Sequence, residues 1–356
     1  MRIAMIGHPM HSKTMSSQFF MKILEGADFN TQYFSTKTFL DWETLSRRSL
    51  DNFDTNICWQ TEDLAEALVS IGKKVILVPM YDAAVQRPVD YWRQFARCKI
   101  ICFCRIFYEQ LIDIDMNAYY FQYYPETAAV SSQHIPASGL SLFFWQRRPD
   151  TAINLEALGR LILTWPSSRL HIHLACDEPD NEVHRPKKSF ATEIELLRRN
   201  GHFVTTSSWF ASRGEYIAIL RKCNLFLAPR LEEGIGMSFL EPMSMGLCVL
   251  ANNRATMNEY VYDKVNGILF DADRPPEEWC PWENLDGRVT EFGLRAAESV
   301  ARGRRRWEQD IERLRAVVSG KGRVPREHLE EFEREVVHLT SSAKSSGARP
   351  ARRQPC

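Results

Sequence analysis

Glu233 and Glu241 are the two residues of this chain whose type and spacing most clearly point to chemistry. Eight positions separate them. In one continuous helix they would diverge by about 80° and lie about 12 Å apart along the axis. Gly234 and Gly236 argue against one helix, because glycine lets the backbone turn and approach a ligand closely. Glu233 therefore belongs to a loop, and Glu241 to the first turns of a helix that starts near Met237. The apolar run 225–229 precedes the loop and a second one, 247–251, follows the helix. Strand, loop, helix and strand in that order make one unit of a parallel α/β sheet, in which ligands sit at the carboxyl ends of the strands. Free amides and the positive end of the helix favour a phosphate at Gly234, Ile235, Gly236, Met237 and Ser238. A carboxylate beside a phosphate must be aimed at something else, and sugar hydroxyls are the obvious donors to it. The constellation suits a sugar attached to a phosphate.

With Gly234, Gly236 and Gly246 between and after them, the two glutamates resemble the paired-glutamate motif of retaining glycosyltransferases of the GT-B fold, family 4 (group 1). Asn258-Glu259-Tyr260 and Val265-Asn266-Gly267-Ile268-Leu269-Phe270 continue the likeness, which is strong over roughly residues 200–271 and fades outside. The resemblance implies an α/β chain of two Rossmann-like domains facing across a cleft, with a C-terminal helix crossing back. It implies a nucleotide-diphosphate sugar as donor, a saccharide or lipid-linked glycan precursor as acceptor, and work in polysaccharide biosynthesis. Glu233 would hold the sugar hydroxyls and Glu241 the ribose. In the family an arginine, then a lysine about one helical turn on, face the donor diphosphate and stabilise the leaving group. Arg147 or Arg148 fits the first role; no lysine stands between Asp150 and Leu155, and the adjacent arginines would share the task, since guanidinium grips phosphate bidentately. A solvated surface pair is the other reading of these arginines. Trp209 follows a strand where the family's donor base often binds, and reads either as a stacking partner for a base or as core.

The resemblance implies retention, and the charges of the reaction fit it. The departing sugar gains oxocarbenium character while the phosphate gains charge. An acceptor attacking on the face that the phosphate leaves hands its proton to that phosphate, so the chain need supply no base. Neither a metal nor another cofactor is expected.

The first half alternates apolar strands (2–7, 56–59, 74–79, 99–104) with helices near 16–24 and 61–68, the second opening on Thr61 as a cap. Two loops at strand ends are candidates on the acceptor side. One is Gly7–Ser17 with His8, His11 and Lys13, read equally as ligand contacts or as a solvated loop. The other holds Asp82, which either accepts from an acceptor hydroxyl or caps the next helix. Arg105 stands in a similar place without further context.

At 356 residues the chain suits two domains. The expected boundaries are 1–135 for the acceptor side, 136–290 for the donor side, 291–340 for C-terminal helices and 341–356 for a disordered tail. Residues 122–139, including His134, read as the linker. A formal net charge of zero gives no field toward nucleic acid. No apolar stretch spans a bilayer, and residues 1–7 are too short for a signal-peptide core, so a cytoplasmic enzyme is expected, with peripheral contact at the inner membrane face. The run Arg304-Arg305-Arg306 reads as a solvated face or as a contact for anionic lipid. The nine cysteines are scattered; Cys102 and Cys104 alternate on one strand face and read as buried thiols, not a zinc site. His171 and His173 read as partly exposed strand residues, since two histidines without a third ligand make no metal site. Two rivals stand beside the transferase: a catalytically weakened GT-B domain that binds nucleotide-sugar or glycan as a partner subunit, and a GT-B epimerase or phosphorylase, though no pyridoxal lysine site is evident for the last.

Overall fold

The computed structural model describes residues 1–9, 11, 16–26, 29–36, 50–127, 139–147, 151–175, 190–285 and 287–321. Lys13, Arg148, His134, most of the expected linker and the expected tail lie outside them. Contacts divide the chain into two units. Among the described residues, the first comprises Met1–Tyr123, Glu233–Ile235 and 305–321, and the second Tyr124–Glu232 and Gly236–Arg304.

The first unit is built on a six-stranded parallel sheet: β1 (Arg2–Gly7), β2 (Asn30–Ser35), β3 (Thr55–Trp59), β4 (Val75–Val78), β5 (Lys99–Cys102) and β6 (Ala118–Tyr120), in the order β2-β1-β3-β4-β5-β6. Its central strands are buried along their whole length, as unbroken apolar runs in a sheet covered on both faces require. The helices are α1 (Gln18–Glu25), α2 (Glu62–Ser70), α3 (Tyr81–Ala84) and α4 (Arg105–Asp113). Three expectations change. Thr61 precedes α2 but its side chain makes no capping bond. Asp82 does not cap α3; Met80 holds that position and Asp82 lies in the first turn. The strand β5 ends at Cys102, so Cys104 stands at the start of α4 and shares no strand face with it, although both thiols are buried. The strands β2 and β6, only half-buried, are missing from the sequence reading because their polar residues mask the apolar pattern.

The second unit repeats the plan with β7 (Ser141–Trp145), β8 (Arg169–His173), β9 (Phe203–Ser207), β10 (Leu225–Leu227), β11 (Cys248–Asn252) and β12 (Gly267–Phe270). All are parallel, in the order β12-β11-β10-β7-β8-β9. Five helices accompany them: α5 (Leu155–Leu161), α6 (Ala191–Arg199), α7 (Arg213–Leu220), α8 (Met237–Ser244) and α9 (Pro276–Trp279). Asn154 caps α5 by accepting from the Ala157 amide at 2.9 Å. Phe143, Phe144 and Phe226 are fully buried in this sheet, each contributing about 2–3 kcal/mol. Asn266 lies in the turn before β12 and is a buried staple: it accepts from the Tyr262 amide at 2.7 Å and donates to the Tyr260 carbonyl at 3.0 Å.

The last helix, α10 (Val289–Ser319), contributes to both units. Arg304 donates to the Tyr124 carbonyl in the second, at 3.3 Å. From Arg305 on it belongs to the first, where Trp307 is buried against Phe19, Phe103 and Tyr123, and Arg315 donates to the Ile23 carbonyl at 2.9 Å. Of the basic run, Arg305 alone is exposed; Arg304 and Arg306 are partly covered.

Candidate functional site

Strand order locates the site. In an open parallel sheet the crevice opens where the direction of chain progress reverses, at the carboxyl ends of the two strands involved. In the second unit that point lies between β7 and β10. The loop after β7 carries Arg147, and the loop after β10 runs from Ala228 into α8. In the first unit the reversal lies between β1 and β3, whose ends carry His8, His11 and Trp59.

The loop after β10 is fixed at both ends. Asn252 donates to the Leu231 carbonyl at 3.0 Å and accepts from the Ala272 amide at 3.0 Å. Arg254 pairs with Glu232 at 3.1 Å and with Asp273 at 2.7 Å. Arg254 thus engages Glu232 directly, next to Glu233. At the far end Gly236 is left-handed, with φ +82°, and a Cβ there would stand 2.6 Å from the Phe239 ring. Only glycine turns the chain there without strain. The Phe239 and Leu240 amides then donate to the Gly236 carbonyl, and the helix begins at Met237, as the sequence predicts. Glu233 is buried, with 6% of its surface exposed. Glu233–Ile235 groups with the first unit, where a Cβ on Gly234 would stand 2.8 Å from Met80 and 3.0 Å from an Asp82 carboxylate oxygen. Asp82, read from sequence as an independent candidate, is therefore a neighbour of the glutamate loop.

Around the second unit's crevice the side chains form one chain of contacts. The Arg147 guanidinium stacks over the Trp145 ring at 4.8 Å. Trp145 meets His173 at 5.6 Å, His173 stacks on Phe210 at 4.3 Å with the rings 4° from parallel, and Phe210 meets Tyr216 at 5.7 Å. Tyr216 feels the charge of Glu241, and Glu241 is ion-paired with Arg213. Arg147 and Glu241, read from sequence as contacts of a donor's diphosphate and ribose, are thus joined by a continuous wall. Burial pushes the Glu241 carboxyl up, and Arg213 pulls it back. Trp209, left open between base stacking and core, is exposed, so the core alternative is withdrawn.

Of the histidines on β8, His171 is partly exposed as expected and His173 is not. His173 is buried and His171 half-buried. Thr205 donates to the Leu170 carbonyl at 3.3 Å and Ser207 bridges the two rings, at 2.9 Å from His171 Nε2 and 2.8 Å from His173 Nδ1. Burial holds both near pKa 4, with Lys222 adding to the effect on His171 and His171 to that on His173. They are neutral structural rings that hold the ends of β8 and β9 together. Among the described residues no group of three His, Cys, Asp or Glu could hold a metal ion.

In the first unit the His11 amide donates to the His8 carbonyl at 3.0 Å. His11 Nδ1 lies 2.8 Å from Ser16 Oγ, and its ring meets His8 and Trp59 edge-on at 6.5 and 6.4 Å. Burial, then the charge of His8, brings His11 down to about 4, against an opposing pull from Asp82. His8 is exposed. Arg105 pairs with Glu109 at 2.7 Å on its own helix.

Sequence reasoning missed Arg213, Phe210, Tyr216 and Arg254. A signal for the first was present: Ser212-Arg213-Gly214-Glu215 is a capping box. Ser212 accepts from the Glu215 amide at 3.3 Å, and Glu215 reaches back to the Ala211 amide at 3.1 Å. That box marks the start of α7 at Arg213. Phe210 and Tyr216 carry no signal until β9 and α7 are placed side by side.

Residues 193–279 match the family model of glycosyl transferases group 1, a span that includes the glutamate motif, Phe210, Arg213 and Tyr216 but not Arg147, Trp145 or His173. No curated protein sequence matches the chain. Solved structures share the fold. Sucrose-phosphate synthase from Thermosynechococcus elongatus superposes with a TM-score of 0.68 at 13% identity, over 90% of this chain and 99% of that one. HepE from Anabaena, in complex with UDP and glucose, gives 0.62 at 12%, over 90% and 100%. The lipopolysaccharide outer core galactosyltransferase WaaB gives 0.58 at 13%, over 85% and 95%. At these identities the likeness establishes a GT-B architecture.

Proposed function

We propose that this GT-B glycosyltransferase moves a sugar, with retention, from a nucleotide-diphosphate donor to a saccharide or glycan-precursor acceptor. The observation that carries the reading is the reversal of strand order between β7 and β10, which places Arg147 and the start of α8 at the same crevice. Arg147 and the start of α8 (Gly236, Met237, Ser238) stabilise the diphosphate as it leaves; Glu241 takes the ribose, and Glu233 orients the transferred sugar. Trp209, exposed beyond β9, offers a face to the base. HepE, solved with UDP and with UDP-glucose, supports a donor of that class. The leaving phosphate accepts the acceptor's proton, so the reaction calls for no base from the chain and no metal. His8, His11 and Asp82 face the acceptor. No helix among the described residues is long and apolar enough to cross a membrane. The proposal places the enzyme in the cytoplasm, meeting lipid-linked acceptors at the inner membrane face.

The test is thermal melting of the full chain against UDP, GDP, ADP and their sugars without added metal. A ligand bound only to the folded state raises the midpoint. A rise of several degrees with one nucleotide family is expected and names the donor. No rise with any of them overturns the transferase reading in favour of a GT-B domain serving as a partner subunit.

A further inference from the structure

Glu241 is mostly covered, with 21% of its side chain exposed, and a buried carboxylate without a partner protonates or turns away. Among the described residues the groups that face it are Arg213 and Tyr216, both from α7. Tyr216 is held neutral, its phenol pushed up by burial and then by Glu241 itself. Arg213 is the only cation of the pair. Its backbone is set by the Ser212–Glu215 capping box, which leaves it the first residue of an anchored helix. Its Nη2 donates to Glu241 Oε1 alone, so one carboxylate oxygen is held and the plane of the other is set.

We infer that Arg213 is a positioning residue that holds the Glu241 carboxylate oriented toward the two vicinal hydroxyls of a ribose, so that the site selects ribonucleotide over 2′-deoxyribonucleotide diphosphates. The inference rests on the reading of Glu241 as the ribose residue. A carboxylate has lone pairs for two donors side by side, and a vicinal diol supplies two O–H groups at that spacing. Oε1 keeps a lone pair beyond the one given to Arg213, and Oε2 stands beside it. A 2′-deoxy ligand leaves one of these acceptors unmatched in a mostly covered position, which is where discrimination is strongest. The charge of Arg213 also extends the ionised form of Glu241 to lower pH. The sign follows: binding that needs the carboxylate is present above its pKa and lost as pH falls through it, and removal of Arg213 moves that loss to higher pH.

Calorimetric titration of the full chain with UDP, GDP and ADP and with their 2′-deoxy counterparts, at pH 5.5 and 8, tests this. With whichever base binds the wild type, Arg213→Ala should weaken the ribonucleotide about tenfold, the scale of one charge-assisted bond, and more at pH 5.5 than at pH 8. The 2′-deoxy ligand should weaken by less than threefold, and Arg213→Lys should recover part of the loss. Equal weakening of both ligands, or no weakening, overturns the inference. Glu241→Gln separates the two levels. If it abolishes the ribose preference while Arg213→Ala does not, only the role of Arg213 falls. If it leaves affinity and preference intact, or if none of the three nucleotides binds the wild type, the ribose reading of Glu241 falls and takes the inference with it.

Discussion

The two strand-reversal points of this molecule are built differently. At the second unit's, polar and charged groups are locked: Arg147 on Trp145, Glu241 on Arg213, Glu232 on Arg254, and a left-handed glycine starting the helix. At the first unit's, His8 is exposed and His11 sits among aromatic rings with Ser16 as its hydrogen-bond partner. The family match takes in Arg213, Glu232, Gly236, Glu241 and Arg254 but not Arg147, Trp145, His8 or His11. On the proposed function the second unit's region receives a diphosphate and a ribose, which make the same demands in any enzyme that binds them, and the first unit's receives an acceptor, which differs from one enzyme to the next.

The sharpest way to break the comparison is Glu233→Ala. Loss of the group that orients the sugar should lower kcat by about a thousandfold while the melting midpoint stays within a few degrees, measured with the donor that the melting screen names. Turnover at the wild-type rate would remove the glutamate from the site. Arg147→Ala should cost about a hundredfold in kcat, as removal of one charge-stabilising donor typically does, with Arg147→Lys intermediate. A change in donor KM alone would make Arg147 a ground-state anchor. On the other side, His11→Ala should raise the acceptor KM by about fivefold and leave the donor KM unchanged, consistent with a single weak contact. An equal rise in donor KM would assign His11 to donor binding instead.

A further effect is on stability. His11, His171 and His173 titrate near 4 in the fold, against an ordinary value of 6.5. The unfolded chain therefore binds more protons as pH falls below about 6.5, and stability drops from there toward 4. At pH 5 each histidine should cost about 1–2 kcal/mol after allowance for solvent screening, read as a lower denaturant midpoint. His173→Phe, which keeps a ring on Phe210, should flatten that slope; an unchanged slope would show that His173 charges without cost.

The amino-acid sequence alone determined the alternation of strand and helix and the start of α8 at Met237. Buried parallel strands are unbroken apolar runs, and glycine marks the turn that precedes the helix. It also separated Glu233 in the loop from Glu241 on the helix. It did not determine that Cys104 leaves the strand, that Asp82 leaves the cap, or that His173 is buried, because each depends on where a neighbouring element stops. Only the tertiary structure decided that Arg213 meets Glu241, that Arg254 takes Glu232, and that Trp145, His173, Phe210 and Tyr216 link Arg147 to Glu241. Those pairs lie up to tens of residues apart along the chain, and no local pattern encodes them. They come together because β7, β8, β9 and β10 share one sheet, whose order is set by how buried surfaces pack and not by the residues that use the crevice.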